Sequence, residues 1–233
     1  MGGKMVAACV SICLVTGSSP PLAYAQPTAR GPAALVAGVE NKELFGYVLR
    51  DSRWPGKQIA VCWQDFEPAD AAARAIVQQA VRDSWEANSQ IRFTGWEKCL
   101  PSSRGIKIAV ADATPEVQSL GRFLDNRPSG MTLNFRFANW WPKDRPNCAQ
   151  TRDVCLRAIA VHEFGHALGF SHEQNRPDAP DQCQELRQGA EGDYRVTEYD
   201  PSSIMNYCNA NWVGNGKPSK LDIIALRTFY GEA

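Results

Sequence analysis

The sequence predicts an α+β domain rather than a helical bundle, and three observations carry that expectation. Strand-type segments come first, at Gln58–Trp63, Ile91–Trp96 and Ile106–Ala111. Two long helical patterns, Glu67–Asn88 and Asp153–Leu168, interleave with and follow them. Residues 173–203 are polar and irregular, and a last helix is expected at Lys220–Tyr230. No internal repeat is visible. The chain has 233 residues with 25 basic and 25 acidic side chains, so a broad nucleic-acid or acidic-membrane surface is not expected. No apolar run reaches the roughly 18 residues that a membrane span needs.

Each element has a local reason. Gln58–Trp63 is apolar and β-prone. The first long helix opens with Pro68 in its first turn, and Ala72, Ile76 and Ala80 recur at spacings of four beside Val77, Val81 and Trp85. That stripe is core packing and carries no chemistry. A loop holding Pro115, Gly121, Pro128 and Gly130 leads to Met131–Phe137, which alternates like a half-exposed strand. The second long helix is stopped by Gly169.

The amino-terminal end reads as an address. Lys4 precedes an apolar stretch, Met5–Val15, too short to cross a bilayer. Gly17, Pro20 and Pro21 break it, and Ala23-Tyr24-Ala25 has the small-x-small pattern of a cleavage site. Residues 1–25 are therefore expected to be a signal peptide, 26–50 a leader or short pro-segment, and 51–233 the functional domain. Export implies a secreted or extracellular protein, or a periplasmic one in a bacterium. Cleavage removes Cys9 and Cys13 and leaves six cysteines, an even number that reads as disulfides in an exported chain. Fifteen pairings are open. Joining sequence neighbours closes the shortest loops and gives Cys62–Cys99, Cys148–Cys155 and Cys183–Cys208.

The chemistry concentrates in one stretch. The chain has three histidines, His162, His166 and His172, all within His162-Glu163-Phe164-Gly165-His166-Ala167-Leu168-Gly169-Phe170-Ser171-His172. His162 and His166 are four apart on a helix, so both rings leave one face a turn apart and can converge on one ion. Glu163 lies about 100° round the helix, beside the metal, where its carboxylate can take a proton from an activated water. Gly169 tolerates the left-handed backbone that ends the helix and returns His172 toward the metal. Three neutral nitrogens and one open position describe a catalytic zinc site rather than a closed structural one. Downstream, Ser203-Ile204-Met205-Asn206-Tyr207 supplies a methionine turn: Met205 as a soft floor, Tyr207 as a hydroxyl able to reach the metal or an oxyanion. The acidic residues Asp178, Asp181, Glu185, Glu191 and Asp193 lack regular calcium-ligand spacing and read as a solvated loop.

The run His162 to Glu173, the following Gln174-Asn175-Arg176-Pro177-Asp178 and the turn at 203–207 resemble the astacins among the metzincins. Glu173, the residue after the third histidine, separates this family from serralysins, which usually carry proline there. Arg53-Trp54-Pro55 and Asp222-Ile223 are further similarities. Where the family has a histidine within the turn, this chain has Asn206. The resemblance implies a metzincin-like two-lobed catalytic domain with a mixed, mostly parallel sheet, two long helices and an irregular carboxy-terminal lobe. It also implies one zinc ion on His162, His166 and His172, with Glu163 as general base, Tyr207 as transition-state stabiliser, and Gly169 and Met205 in support. Glu173 would help anchor a mature amino-terminus. The activity implied is that of a secreted zinc endopeptidase. Its protein or peptide substrate would lie extended along an edge strand, for which Met131–Phe137 is the expected segment. Neither nucleic acid nor stable membrane insertion is expected. The alternatives are a catalytically silent zinc-binding or adhesive module on the same fold, or a metzincin of serralysin or matrixin type.

Overall fold

The computed structural model describes residues 46–140 and 147–233. The expected signal peptide, with Cys9 and Cys13, and most of the expected leader lie outside the described residues, as does Trp141.

Alternation of apolar residues builds the central sheet. Strand β2 (Gln58–Trp63) buries Ile59, Val61 and Trp63, and β4 (Ile106–Val110) buries Ile106 and Ile108. With β3 (Arg92–Lys98), β5 (Glu116–Val117) and β6 (Met131–Leu133) they form a five-stranded sheet in the order β3-β2-β4-β6-β5. The first four positions are parallel, and β5 alone runs antiparallel, against β6. Against β2 the register of β3 skips Trp96, a bulge at a residue with φ 63°.

One expectation is corrected here. Met131–Phe137 is not the edge strand: only Met131–Leu133 is extended, and it lies inside the sheet between β4 and β5. The edge is the two-residue β5, within the segment read as a loop. Two residues flanked by Pro115 and Gln118 are too few for a periodicity to register, whereas Met131 and Leu133, two apart and so on one face of β6, are both fully buried.

The helices match their apolar patterns except at Ala72, which is exposed, and Ile76, which is only partly buried, because the core-facing stripe of the first helix runs through Ala73, Val77, Ala80 and Val81. Helix α1 (Ala71–Ser84) is bracketed by 3-10 turns at Pro68–Asp70 and Glu86–Asn88, which together fill the predicted helical span. Helix α2 (Arg152–Ala167) is buried on every side from Ala158 onward, as a helix enclosed by other elements must be. Trp85, just past α1, donates from Nε1 to the Val161 carbonyl of α2 at 2.9 Å and stacks on Phe170 at 5.7 Å. A Schellman motif ends α2: Gly169 N donates to His166 O, and Phe170 N to Gly165 O at 3.1 Å, with Gly169 at φ 97°.

Beyond α2 the chain is largely irregular, with the short helix α3 (Asp181–Gln184) and β7 (Tyr194–Arg195), which pairs antiparallel with β1 (Tyr47–Val48). Tyr47 O also accepts from Ser171 N, and Leu49 N donates to Gly169 O, so residues 47–49 are stitched to the end of α2. Helix α4 (Lys220–Tyr230) starts at a capping box of Ser219 and Asp222. The three expected disulfides are present: Cys62–Cys99, Cys148–Cys155 and Cys183–Cys208. No helix among the described residues is long and apolar enough to cross a membrane.

Candidate metal centre and active-site cleft

The carboxy-terminal half of α2 and the reversal at Gly169 bring all three histidines to one point. Nε2 of His172 lies 3.2 Å from Nε2 of His162 and 3.1 Å from that of His166. Ligands of a tetrahedral ion at roughly 2.05 Å are about 3.3 Å apart, so this spacing fits one ion with these three nitrogens on it. Each ring is aimed by its other nitrogen. Nδ1 of His162 donates to Ile204 O at 2.8 Å, that of His166 to Phe170 O at 2.8 Å, and that of His172 to Gln188 O at 2.9 Å. A carbonyl can only accept, so each proton sits on Nδ1 and each Nε2 presents a lone pair. Burial holds the imidazoles neutral: His162 is pushed down to about 3, chiefly by burial and then by His172. His166 is driven well below the ordinary histidine range by burial and its two neighbours, and His172 is lowered by burial. The site therefore offers three neutral nitrogen donors, a borderline-soft set suited to zinc.

Glu163 leaves α2 beside this cluster. It is buried, and its Oε2 has no hydrogen-bond partner among the described residues. An orphaned buried carboxylate oxygen costs about 1–3 kcal/mol, so the position calls for a ligand or proton-bearing group. Burial, and secondarily the Glu116 carboxylate, raise its pKa to about 8. Tyr207 packs its ring on His162 at 5.1 Å and His172 at 4.7 Å. Burial and then Glu163 push its phenol upward, so the hydroxyl stays a donor.

The turn that carries Met205 and Tyr207 is fixed from α4. Asp222 accepts from Ser203 Oγ at 2.7 Å, from Ile204 N at 2.9 Å and from Ser219 N at 2.7 Å. Because Ile204 O is the acceptor for His162, Asp222 acts on that histidine through the turn. Met205 is buried, and its sulfur lies against Gly165 of α2, the one position on that face without a side chain.

The residues after His172 are the part whose placement the sequence does not announce. Glu173, Gln174, Asn175 and Arg176 are all buried, at 2%, 0%, 1% and 0% exposure. Glu173 accepts from Asp200 N at 2.8 Å and pairs with the Arg176 guanidinium at 3.4 Å, while the amino-terminal end of the chain lies outside the described residues. Gln174 accepts from Tyr207 N at 3.0 Å. Asn175 holds Gln188 from both sides, donating to its carbonyl at 2.9 Å and accepting from its N–H at 3.1 Å. That carbonyl is the one that aims His172. Gln174 thus braces the methionine turn and Asn175 the loop that aims the third histidine, and Cys183–Cys208 ties α3 covalently to the residue after Tyr207. Polar runs ordinarily face solvent, and only the resemblance, which quotes these residues without giving most of them a role, drew attention to them. Of the acidic residues read as a solvated loop, Asp178 chelates Arg176 at 2.8–2.9 Å, and Asp193 pairs with Arg50 at 3.4 Å.

A cleft of about 360 Å3 opens above the histidines. The segment Thr114–Leu120, which includes β5, forms one wall and Gln188–Ala190 the other, with Glu163, His166, His172 and Tyr207 at the base. Glu116 and Gln188 are among the lining residues that sequence reasoning missed. Neither stands in a recognisable pattern.

A mostly parallel sheet with one antiparallel edge, a helix bearing two histidines, a glycine reversal to a third, and a methionine turn define the metzincin class of fold and site. Comparison with known proteins narrows the class. Residues 147–226 match the model of the astacin family of peptidases. The chain is 38% identical over 194 residues to Protein SpAN of Strongylocentrotus purpuratus and 26% identical over 199 residues to Blastula protease 10 of Paracentrotus lividus, each match covering 77% of this chain. It spans 28% and 29% of the lengths of those two relatives. Among solved structures, myroilysin superposes with a TM-score of 0.55 at 21% identity, over 81% of this chain and 100% of that one, a likeness of fold. The chain is an astacin-like protein of the metzincins.

Proposed function

We propose that this protein is a zinc-dependent endopeptidase in which His162, His166 and His172 hold the ion, Glu163 is the general base and Tyr207 steadies the developing oxyanion. The observation that carries the reading is the convergence of three lone pairs, 3.1–3.2 Å between nitrogens, beside a buried carboxylate oxygen with no partner among the described residues. Zinc bound there supplies Lewis acidity to water and to the scissile carbonyl.

The chain's own residues perform the rest. Glu163, its pKa raised toward neutrality, takes the proton of the attacking water through Oε2 and returns it to the leaving amine. Tyr207, kept protonated by burial, donates to the oxygen that gains charge as the carbonyl becomes tetrahedral. The substrate backbone would add to the sheet beside β5. Gln118 N bonds inward to Gly130 O at 2.9 Å, so by the antiparallel alternation the peptide groups of Val117 face outward. Export through a signal peptide at 1–25 and a leader over 26–50 belong to the same proposal, supported by the three disulfides.

Glu163→Gln tests it: the variant is expected to bind one zinc per chain and to lose hydrolysis of casein by a factor of about a thousand or more. A variant that retains zinc and cleaves at the wild-type rate refutes the assignment. A wild-type protein that binds zinc yet cleaves no protein or peptide favours the silent-module alternative.

A further inference from the structure

The cleft carries a charge that the proposed chemistry does not consume. Glu116 stands on β5, the strand beside which a substrate would lie, and lines the cleft together with Glu163. Its side chain is exposed, and no Lys or Arg among the described residues pairs with it. No lysine or arginine occurs among the described cleft-lining residues. Among the described lining residues the formal charges are therefore the carboxylates of Glu116 and Glu163, of which the zinc reading uses only Glu163. The Glu163 carboxylate is buried, with no partner for Oε2 among the described residues.

We propose that Glu116 is a specificity-determining residue: it forms a subsite for the lysine or arginine side chain of a peptide lying along β5. The inference rests on the peptidase reading and adds the substrate class. The physical reason is complementarity of sign. A cationic side chain entering between β5 and the 188–190 loop meets a carboxylate with no Lys or Arg partner among the described residues, whereas an aspartate or glutamate there meets like charge. Because Glu116 is exposed, each effect is modest and weakened by salt. Attraction of Lys and repulsion of Asp act together on the Lys:Asp ratio, giving a factor of about ten. The competing account makes Glu116 a charge that guards an open sheet edge against pairing with other chains.

The test is a peptide series in which one Lys, Asp or Ala is moved through the positions on either side of the cleaved bond. The reading is kcat/KM for wild type, Glu116→Gln and Glu116→Lys at low salt. The Lys:Asp ratio is taken within each protein, so a general change in turnover cancels. At one position wild type is expected to favour Lys about tenfold, Glu116→Gln to bring the ratio to within about threefold of unity, and Glu116→Lys to invert it. The preference should appear mainly in KM, because the charge acts on bound substrate and transition state alike. The proposal is overturned if no position favours Lys, or if the ratio survives Glu116→Gln. Cleavage of the Ala parent peptide reads the peptidase assignment separately. If it is absent, the same ratio is read from binding of the peptides to the zinc-loaded proteins by fluorescence anisotropy, and an equal affinity for Lys and Asp peptides overturns the subsite.

Discussion

Substituting Gly165 by Ala sets two magnitudes against each other inside the motif that holds the histidines. In a helix interior, alanine is favoured over glycine by about 1 kcal/mol, so helix propensity alone predicts a more stable protein. The packing predicts the reverse. A Cβ on Gly165 would sit under 3.0 Å from Met205 Sδ and 3.2 Å from both Met205 Cε and Trp85 Cζ2. The sulfur would have to retreat by roughly 1 Å to reach ordinary contact. Neither neighbour has room to move. Trp85 is pinned by its 2.9 Å bond to Val161 O and its stack on Phe170, and Met205 is 1% exposed in a turn anchored by Asp222. Overpacking of this kind costs about 1–3 kcal/mol, and with two rigid neighbours the upper part of that range applies. The net expectation is a loss of about 1–2 kcal/mol, or some 2–8 °C in Tm for a domain of this size. Equilibrium urea unfolding followed by tryptophan fluorescence measures it, on metal-free and zinc-loaded protein. Adding Met205→Ala relieves the clash, so the double-mutant cycle should show a coupling of at least about 1 kcal/mol. A Gly165→Ala protein more stable than wild type, or a cycle without coupling, refutes the packing argument.

Two further predictions concern groups that act on the histidines from a distance. Asn175→Ala removes both bonds that hold Gln188 and loosens the carbonyl that aims His172, so zinc affinity should fall about 10- to 100-fold in competition with a chromophoric chelator. An unchanged affinity shows that the loop holds its place without Asn175. Asp222, whose pKa burial raises to about 6 from an ordinary aspartate value of 3.8, binds its proton more tightly folded than unfolded. Its contribution to stability is therefore fully present below pH 3.8 and is lost as pH rises through about 6. Relative to Asp222→Asn, wild type should lose on the order of 2 kcal/mol of unfolding free energy between pH 4 and 7. A difference that stays flat or grows over that range shows instead that the three donors hold the carboxylate ionised.

Legibility in the sequence followed periodicity and motif spacing. The strand Gln58–Trp63, the helix Lys220–Tyr230 and the helix bearing His162 and His166 each have enough repeats of one period for local chemistry to place them. Gly169 was readable as a helix stop because only a positive φ, 97° here, allows that reversal. The edge strand was not readable: β5 has two residues, and its place outside β6 follows from where the chain crosses the sheet, not from its side chains. The braces of the site were hidden for the opposite reason. Gln174, Asn175 and Arg176 look like surface residues; the first two are buried where the methionine turn and the 186–190 loop bond to them, and Arg176 where Glu173, Asp178 and Thr197 enclose its guanidinium.

What the sequence determined by itself is the identity of the candidate ligands and their first geometry. Spacing four on a helix, a carboxylate one residue on and a glycine three past the second histidine are local facts, fixed by 3.6 residues per turn. Only the tertiary structure decided which carbonyls aim His162 and His172, which acid lines the cleft, and which strand stands at its edge. Those depend on contacts such as Ile204 with His162 and Glu116 with the cleft, between residues some 40 or more apart in sequence. No local period encodes which distant segments pack together, because that is set by the burial of the whole core.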